Sequence, residues 1–296
     1  MSKRSLVLLS VTCAATVLAC SGTPGSAFGD PDPSAGNAGS SGNAGEFSTD
    51  PVGTNAACVT AIKNASLPAV NLVIMYDKSG SMGNPAEGGD PKAKWIPVNT
   101  GMKAFFADSA SAGYNASLQF FPAPGDLATT CAARYDQPLV PLTSLAAGAA
   151  LGAALDGASP QGGTPTLPAL LGAIRYAQTT AAARPDEKTV VVLVTDGEPG
   201  LMVDGQFAPG CTDNDIGHVA SAAKDGFEAA QSIPTYVIGV GTALTKLEAI
   251  AKAGGTGHAF LVSLSDPTQT RAELQTAFEA IRSQVKVSCN FAVPAA

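Results

Sequence analysis

The chain has 296 residues, 45% of them apolar and 14% charged, which suits a sizeable core in one large domain or two small ones. Its formal net charge is −7, and the basic pair Lys3 and Arg4 sits in a segment that export would remove. The mature chain therefore lacks the basic footprint that nucleic-acid binding requires, and a nucleic-acid partner is excluded.

Lys3 and Arg4 precede the apolar stretch "SLVLLSVTCAATVLAC", which ends at Cys20. The stretch is too short, and too soon followed by polar residues, for a transmembrane helix; residues 1–19 read as a signal peptide. "VLAC" resembles a bacterial lipobox, in which cleavage precedes a cysteine that receives lipid, although Val17 and Leu18 fit it loosely. That resemblance makes Cys20 the lipid-attachment residue. Ser21, rather than Asp, follows it and points to the outer membrane, at the periplasmic face or the cell surface. The competing reading is an ordinary signal peptide with an incidental cysteine.

Residues 20–55 then form a tether, rich in Gly, Ser, Pro and Ala, with "GNAG" at 36–39 and again at 42–45. Such a segment buries too little surface to offset its ordering entropy. As a flexible coil it reaches roughly 30 Å. The folded domain is expected over 56–293.

From residue 68 onward strand and helix signals alternate. "AVNLVIMY" (69–76) is the first strand, and 94–110 is a helix with Trp95, Val98, Met102, Phe105 and Phe106 near one face. These aromatics read as core rather than as a binding patch. Pro97 is tolerable only in that helix's first turn. "NASLQFFP" (115–122) is the second strand. "QPLVPL" (137–142) is a short third strand whose two prolines suit a sheet edge. Helices follow at 145–155 and 165–182. "KTVVVLVT" (188–195) is an unbroken β-branched run, as in a strand covered on both faces of a parallel sheet. The remaining elements are a helix over 216–231, a strand at 234–241, a helix at 246–255, a strand at 258–262, and a last helix with Leu274, Phe278, Ile281 and Val285 on one stripe. This alternation predicts a doubly wound α/β domain, with strand order 3-2-1-4-5-6.

Six cysteines are present. Cys13 and Cys20 belong to the export segment, which leaves Cys58, Cys131, Cys211 and Cys289 and three possible connectivities. Cys58 and Cys289 bracket the folded region, so their pairing would staple its ends. Cys131 and Cys211 both lie in Gly- and Pro-rich loops and would tie two loops together. Zinc is disfavoured because no CxxC pair exists and neither His218 nor His258 has a cysteine at ligand spacing. Both histidines read as surface or structural residues. "NAS" at 64 and 115 matches glycosylation acceptors, to which a bacterial lipoprotein lends little weight.

In doubly wound sheets, ligands sit beyond the carboxyl ends of the strands, where strand order reverses. The first strand there ends in "DKSGS", with Asp77, Ser79 and Ser81 at alternate positions; the fourth ends in "TDGEP", with Asp196 at its tip. Between them "GGTPT" places Thr164 near a helix N-terminus. Singly, each of these residues is an ordinary strand-end cap or turn residue.

Together, Asp77-x-Ser79-x-Ser81, Thr164 and Asp196 in "TDG" resemble the metal-ion-dependent adhesion site of von Willebrand factor type A domains. The resemblance extends over roughly 68–287, and the sequence is also similar to lipoprotein-anchored bacterial members of that family. It implies a Rossmann-like α/β fold: a mainly parallel six-stranded sheet, helices on both faces and one antiparallel edge strand. It also implies a magnesium ion, with manganese or calcium as alternatives, held by Asp77, Ser79, Ser81, Thr164 and Asp196. The two aspartates are expected to act largely through bound water. All-oxygen donors suit such hard cations.

The partner implied is a protein whose exposed Asp or Glu completes the coordination, with membrane contact through the lipid alone. Gly80 and Gly83 are expected to permit the tight turn, and Gly162 and Gly163 to let the Thr164 loop approach. Lys78 carries no assigned role, and Glu198 is either a further oxygen for the site or a solvated loop acid. The 198–215 insert exceeds the family pattern. Two other functions compete: a structural envelope lipoprotein whose metal only stabilises the fold, and a magnesium-dependent phosphatase. The latter resembles haloacid-dehalogenase-like enzymes in its strand-end carboxylate but has Ser79 where they need a second aspartate. Neither GxxxxGK nor GxSxG is present, and the chain is not expected to be an enzyme.

Overall fold

The computed structural model describes residues 68–203, 206–208, 210–241 and 245–286. The export segment, Cys20, the tether, Asn64, Cys58, Cys289 and both expected domain boundaries lie outside the described residues. In chain order the elements are β1 (Val70–Asp77), α1 (Trp95–Ala107), β2 (Tyr114–Phe121), α2 (Leu127–Cys131), β3 (Val140–Ser144), α3 (Ala149–Gly157), α4 (Thr166–Ala183), β4 (Lys188–Thr195), β5 (Leu201–Val203), β6 (Gln206–Ala208), α5 (Ile216–Glu228), β7 (Thr235–Val240), α6 (Glu248–Ala253), β8 (Phe260–Val262) and α7 (Pro267–Lys286). Among the described residues, no helix is long and apolar enough to cross a membrane.

Six strands form one sheet in the order β3-β2-β1-β4-β7-β8, the expected 3-2-1-4-5-6 once the separate β5-β6 hairpin is set aside. All pairings in it are parallel except β2 with β3, which is antiparallel with a register shift between Ala116 and Leu118. β3 is the edge strand its prolines suggested, but it begins at Val140 rather than 137. The reason lies in the pairing: Val140 is the first residue opposite β2, and Gln119 Oε1 accepts from the Leu139 N–H just before it. α2 and the β5-β6 hairpin were not anticipated. Each is too short to show a hydrophobic period.

Alternate residues of each central strand face opposite layers. Leu72, Ile74 and Tyr76 of β1, with Val190, Val192 and Val194 of β4, pack beneath α1, α3 and α7. Val73 and Met75, with Val191 and Leu193, pack beneath α4, α5 and α6. Both strands are buried on both faces, which is why they read as continuous apolar runs. The expected stripes are core: Trp95, Val98, Met102, Phe105 and Phe106 on α1, and Leu274, Phe278, Ile281 and Val285 on α7, are all buried. The rings of Phe105 and Phe278 stack at 4.2 Å between these two helices. Burying one such ring stabilises the fold by roughly 2–3 kcal/mol, so the layers holding the strand ends in place are firm.

Candidate metal-binding site

The site stands where β1 and β4 end side by side, at the point from which the sheet winds in opposite directions. Asp77 and Thr195 continue the parity of Met75 and Leu193, toward α4. Both are fully buried, and Thr195 Oγ1 donates to Asp77 Oδ2 at 2.5 Å. Asp77 Oδ1 accepts from the Ser79 N–H at 2.7 Å, so the carboxylate also shapes the turn that follows it. Asp196 follows the parity of Val194 toward α1. There Ser81 Oγ donates to its Oδ1 at 2.8 Å, and Ser79 Oγ lies 3.1 Å from Ser81 Oγ. Four of the five expected residues are thus linked around one point.

Thr164, also buried, joins them through the backbone. Gly80 N–H donates to Gly162 O at 2.9 Å and Gln161 N–H to Lys78 O at 2.8 Å, pinning the loop before Thr164 to the turn after Asp77. Gly162 holds φ +80°, which a side chain at that position would resist. Glu87 Oε2 accepts the Gly162 N–H at 2.8 Å, and its carboxylate occupies the space a Cβ on Gly80 would take. The insert clamps Thr164 from the other side. Thr164 N–H donates to Gly200 O at 2.6 Å, Gly200 N–H returns to Thr164 O at 3.0 Å, and Asn214 Nδ2 donates to Thr164 O at 3.0 Å. Asn214 Oδ1 accepts from Leu167 N–H at 2.9 Å in the first turn of α4. The disulfide Cys131–Cys211, one of the two expected pairs, anchors this insert three residues from Asn214.

Sequence reasoning missed Lys94, Thr195, Glu87 and Asn214. Lys94, just before α1, sends Nζ to Asp196 Oδ2 at 2.6 Å and to Ser81 O at 3.1 Å. Its side chain is 21% exposed while that of Asp196 is fully buried. Nothing near Lys94 in sequence marks it. Thr195 could have been suspected from its place beside Asp196 on the strand that borders Asp77.

Burial, then the charge of Asp196, pushes the Asp77 carboxyl up to about 7, against the hydrogen bonds from Thr195 and Ser79. Burial also raises the Tyr76 phenol, with Asp77 and Asp196 adding to the effect; its hydroxyl donates to Asn99 Oδ1 at 2.8 Å. Removal from water lowers the Lys78 ammonium, opposed by Asp77. Glu198 is exposed enough to pair with Lys246 at 3.0 Å, as a solvated loop acid does. His218 and His258 are exposed and pair with Asp215 and Glu248.

The donor set fits a hard divalent cation. It consists of two buried carboxylates and the hydroxyl oxygens of Ser79 and Ser81, with the Thr164 loop tied beside them through its backbone and no nitrogen or sulfur ligand, and a lysine ammonium already lies on Asp196 as a cation does. Among the described residues, no cluster of three or more His, Cys, Asp or Glu that could hold a metal ion is found, here or elsewhere.

The family model described as the von Willebrand factor type A domain matches residues 132–277, a range that contains Thr164 and Asp196 and begins after the Asp77–Ser81 turn. Among solved structures, the chain is similar to the pilus adhesin SpaC from Lactobacillus rhamnosus GG, with 17% identity and a TM-score of 0.52, covering 75% of this chain and 31% of the adhesin. It thus spans about a third of that adhesin's length. Lower similarity is found to the vWF domain of the type V pili tip protein Mfa5 from Porphyromonas gingivalis (14% identity, TM-score 0.46, 77% and 99% covered). The same holds for the manganese-loaded TRAP protein of Plasmodium vivax (17%, 0.44, 72% and 74%). No curated protein matches the sequence.

Proposed function

We propose that the chain carries a von Willebrand factor type A domain, a reading supported by the family-model match and the fold, and that it is a binding module of the bacterial envelope, anchored by lipid on Cys20, held out by the 20–55 tether, and gripping a protein partner at the β1–β4 edge. The observation that carries this reading is the convergence of Asp77, Ser79, Ser81 and Asp196, with the Thr164 loop clamped beside them. Ser79, Ser81 and Thr164 would hold a magnesium ion, or manganese or calcium in its place, with Asp77 and Asp196 balancing its charge. Bound there, the ion supplies an electrophilic position for a carboxylate oxygen of the partner.

The chain's own residues do the rest. Thr195 and the Ser79 N–H orient the Asp77 carboxylate. Glu87, Gly200 and Asn214 keep the Thr164 loop in register. Lys94 neutralises Asp196 until it gives way to a divalent ion. Asp77 is held by Thr195 and the Ser79 N–H, and Ser79 and Ser81 are hydrogen-bonded to one another and to Asp196; binding rather than catalysis is the activity proposed.

The test is calorimetric titration of MgCl₂ and MnCl₂ into the EDTA-treated protein, beside Ser79→Ala and Asp196→Ala with folding followed by circular dichroism. Saturable binding to the wild type, lost in folded variants, is expected. A folded wild type that takes up neither ion overturns the proposal. If metal removal leaves the fold intact but releases partners captured in its presence, the ion serves binding rather than mere stability.

A further inference from the structure

A groove of about 470 Å³ opens beside the candidate site, across the end of β2 and the segment after α3. Its size is that of a ligand site rather than of a packing gap. Phe120, Pro122, Pro124, Leu139 and Ala158 give it apolar walls, and Leu139 is 62% exposed. One cation lines it: Lys78, between Asp77 and Ser79 in sequence. Lys78 is 9% exposed as a residue; its ammonium feels the charge of Asp77 but is in no hydrogen bond or ion pair found among the described residues. Its backbone is fixed at both ends, N–H to Phe121 O at 2.6 Å and C=O from Gln161 N–H at 2.8 Å, so the side chain cannot leave with the turn. No acid is among the described residues lining the groove, and the amide of Gln119 is already committed to the backbone at Gln137, Leu139 and Phe120.

The groove therefore presents a cation that no carboxylate of its own lining pairs, set in walls that favour an apolar body. Charge complementarity defines the occupant: a carboxylate carried on, or next to, an aliphatic group. The groove shares Lys78 and Gln161 with the loops of the candidate metal site, so a polypeptide crossing one surface continues onto the other. We propose that this groove is the second half of the partner-binding surface, recognising an acidic residue flanked by an aliphatic one in a partner protein, with Lys78 pairing its carboxylate. The identity of the partner as a protein rests on the function proposed above; the recognition by Lys78 needs no metal.

The test uses two blocked tetrapeptides of sequence ADLA and ANLA, titrated in EDTA into the ¹⁵N-labelled protein, its Lys78→Met variant and its Lys78→Arg variant. Saturable amide shifts are expected at residues 78, 119–124 and 154–161 with ADLA. They are expected to be at least tenfold weaker with ANLA and with Lys78→Met, and largely retained with Lys78→Arg. Methionine suits the buried stem of Lys78, so the variant is expected to fold, and the spectrum reports whether it does. Equal titration by the two peptides, wild-type titration of Lys78→Met, or no saturable shift overturns the proposal. Magnesium titration of the same wild-type sample after removal of EDTA reports on the Asp77–Asp196 site alone, so each reading can fail without the other.

Discussion

Replacing Asp77 with asparagine removes a buried charge while keeping the side chain's shape. The Asn oxygen still accepts from the Ser79 N–H, and its amide can donate to Thr195 Oγ1. In the metal-free protein the Asp77 carboxyl is lifted from 3.8 to about 7 by burial and by Asp196. At about 1.4 kcal/mol per pH unit, that lift is worth on the order of 4 kcal/mol. Between these two values the folded chain keeps a proton that the unfolded chain has lost, so the contribution favours folding below 3.8 and disappears as pH rises through about 7. Urea unfolding in EDTA from pH 4 to pH 8 measures this. The difference between wild type and Asp77→Asn cancels the carboxylates whose pKa values are lowered, Asp108, Asp126, Asp136, Asp215, Glu248 and Glu273. The two proteins are expected to be nearly equal at pH 4, with the variant ahead by up to about 4 kcal/mol at pH 8. Saturating magnesium is expected to narrow or reverse that lead by stabilising only the wild type. A difference that stays constant from pH 4 to pH 8 would refute the placement of Asp77 as an uncompensated buried carboxylate.

Lys94→Met removes the ammonium lying 2.6 Å from Asp196. The metal-free protein should lose about 2–3 kcal/mol of stability, because a buried carboxylate loses its partner, while magnesium binds about tenfold more tightly for want of a competitor, about 1.4 kcal/mol; thermal unfolding and calorimetry together check both signs. Gly80→Ala drives a Cβ into the Glu87 carboxylate and dislodges it from the Gly162 N–H. Stability is expected to fall by about 1–3 kcal/mol, and metal affinity to fall with it, which denaturant titration and calorimetry would show. The double variant Cys131→Ser, Cys211→Ser opens a link between residues 80 apart. It should cost about 2–4 kcal/mol and speed hydrogen exchange at the Thr164 and Leu167 amides, which Gly200 and Asn214 hold; unchanged protection there would show that the insert does not clamp that loop.

Much of the scaffold was legible before any coordinates. β1 and β4 are covered on both faces, so their apolar runs had no reason to alternate and announced themselves as central parallel strands. The same runs end at Asp77 and just before Asp196, and strand order alone then brings those two residues to one edge. The stripes on α1 and α7 were visible because a helix against a sheet must be apolar at its own period. Lys94 was not legible, because its partner Asp196 lies across the site and a side-chain contact between distant segments leaves no periodic trace. Neither was the task of the insert: Gly200 works through its backbone, and Asn214 reads in sequence as one more loop asparagine. The start of β3 depended on which residues β2 could pair with, and the absence of an acid from the lining of the Lys78 groove on which segments fold beside it. Local patterns determined the elements and the chemistry each strand end offers; only the tertiary structure decided which charges meet, because electrostatic partnership depends on distance in space and not on spacing along the chain.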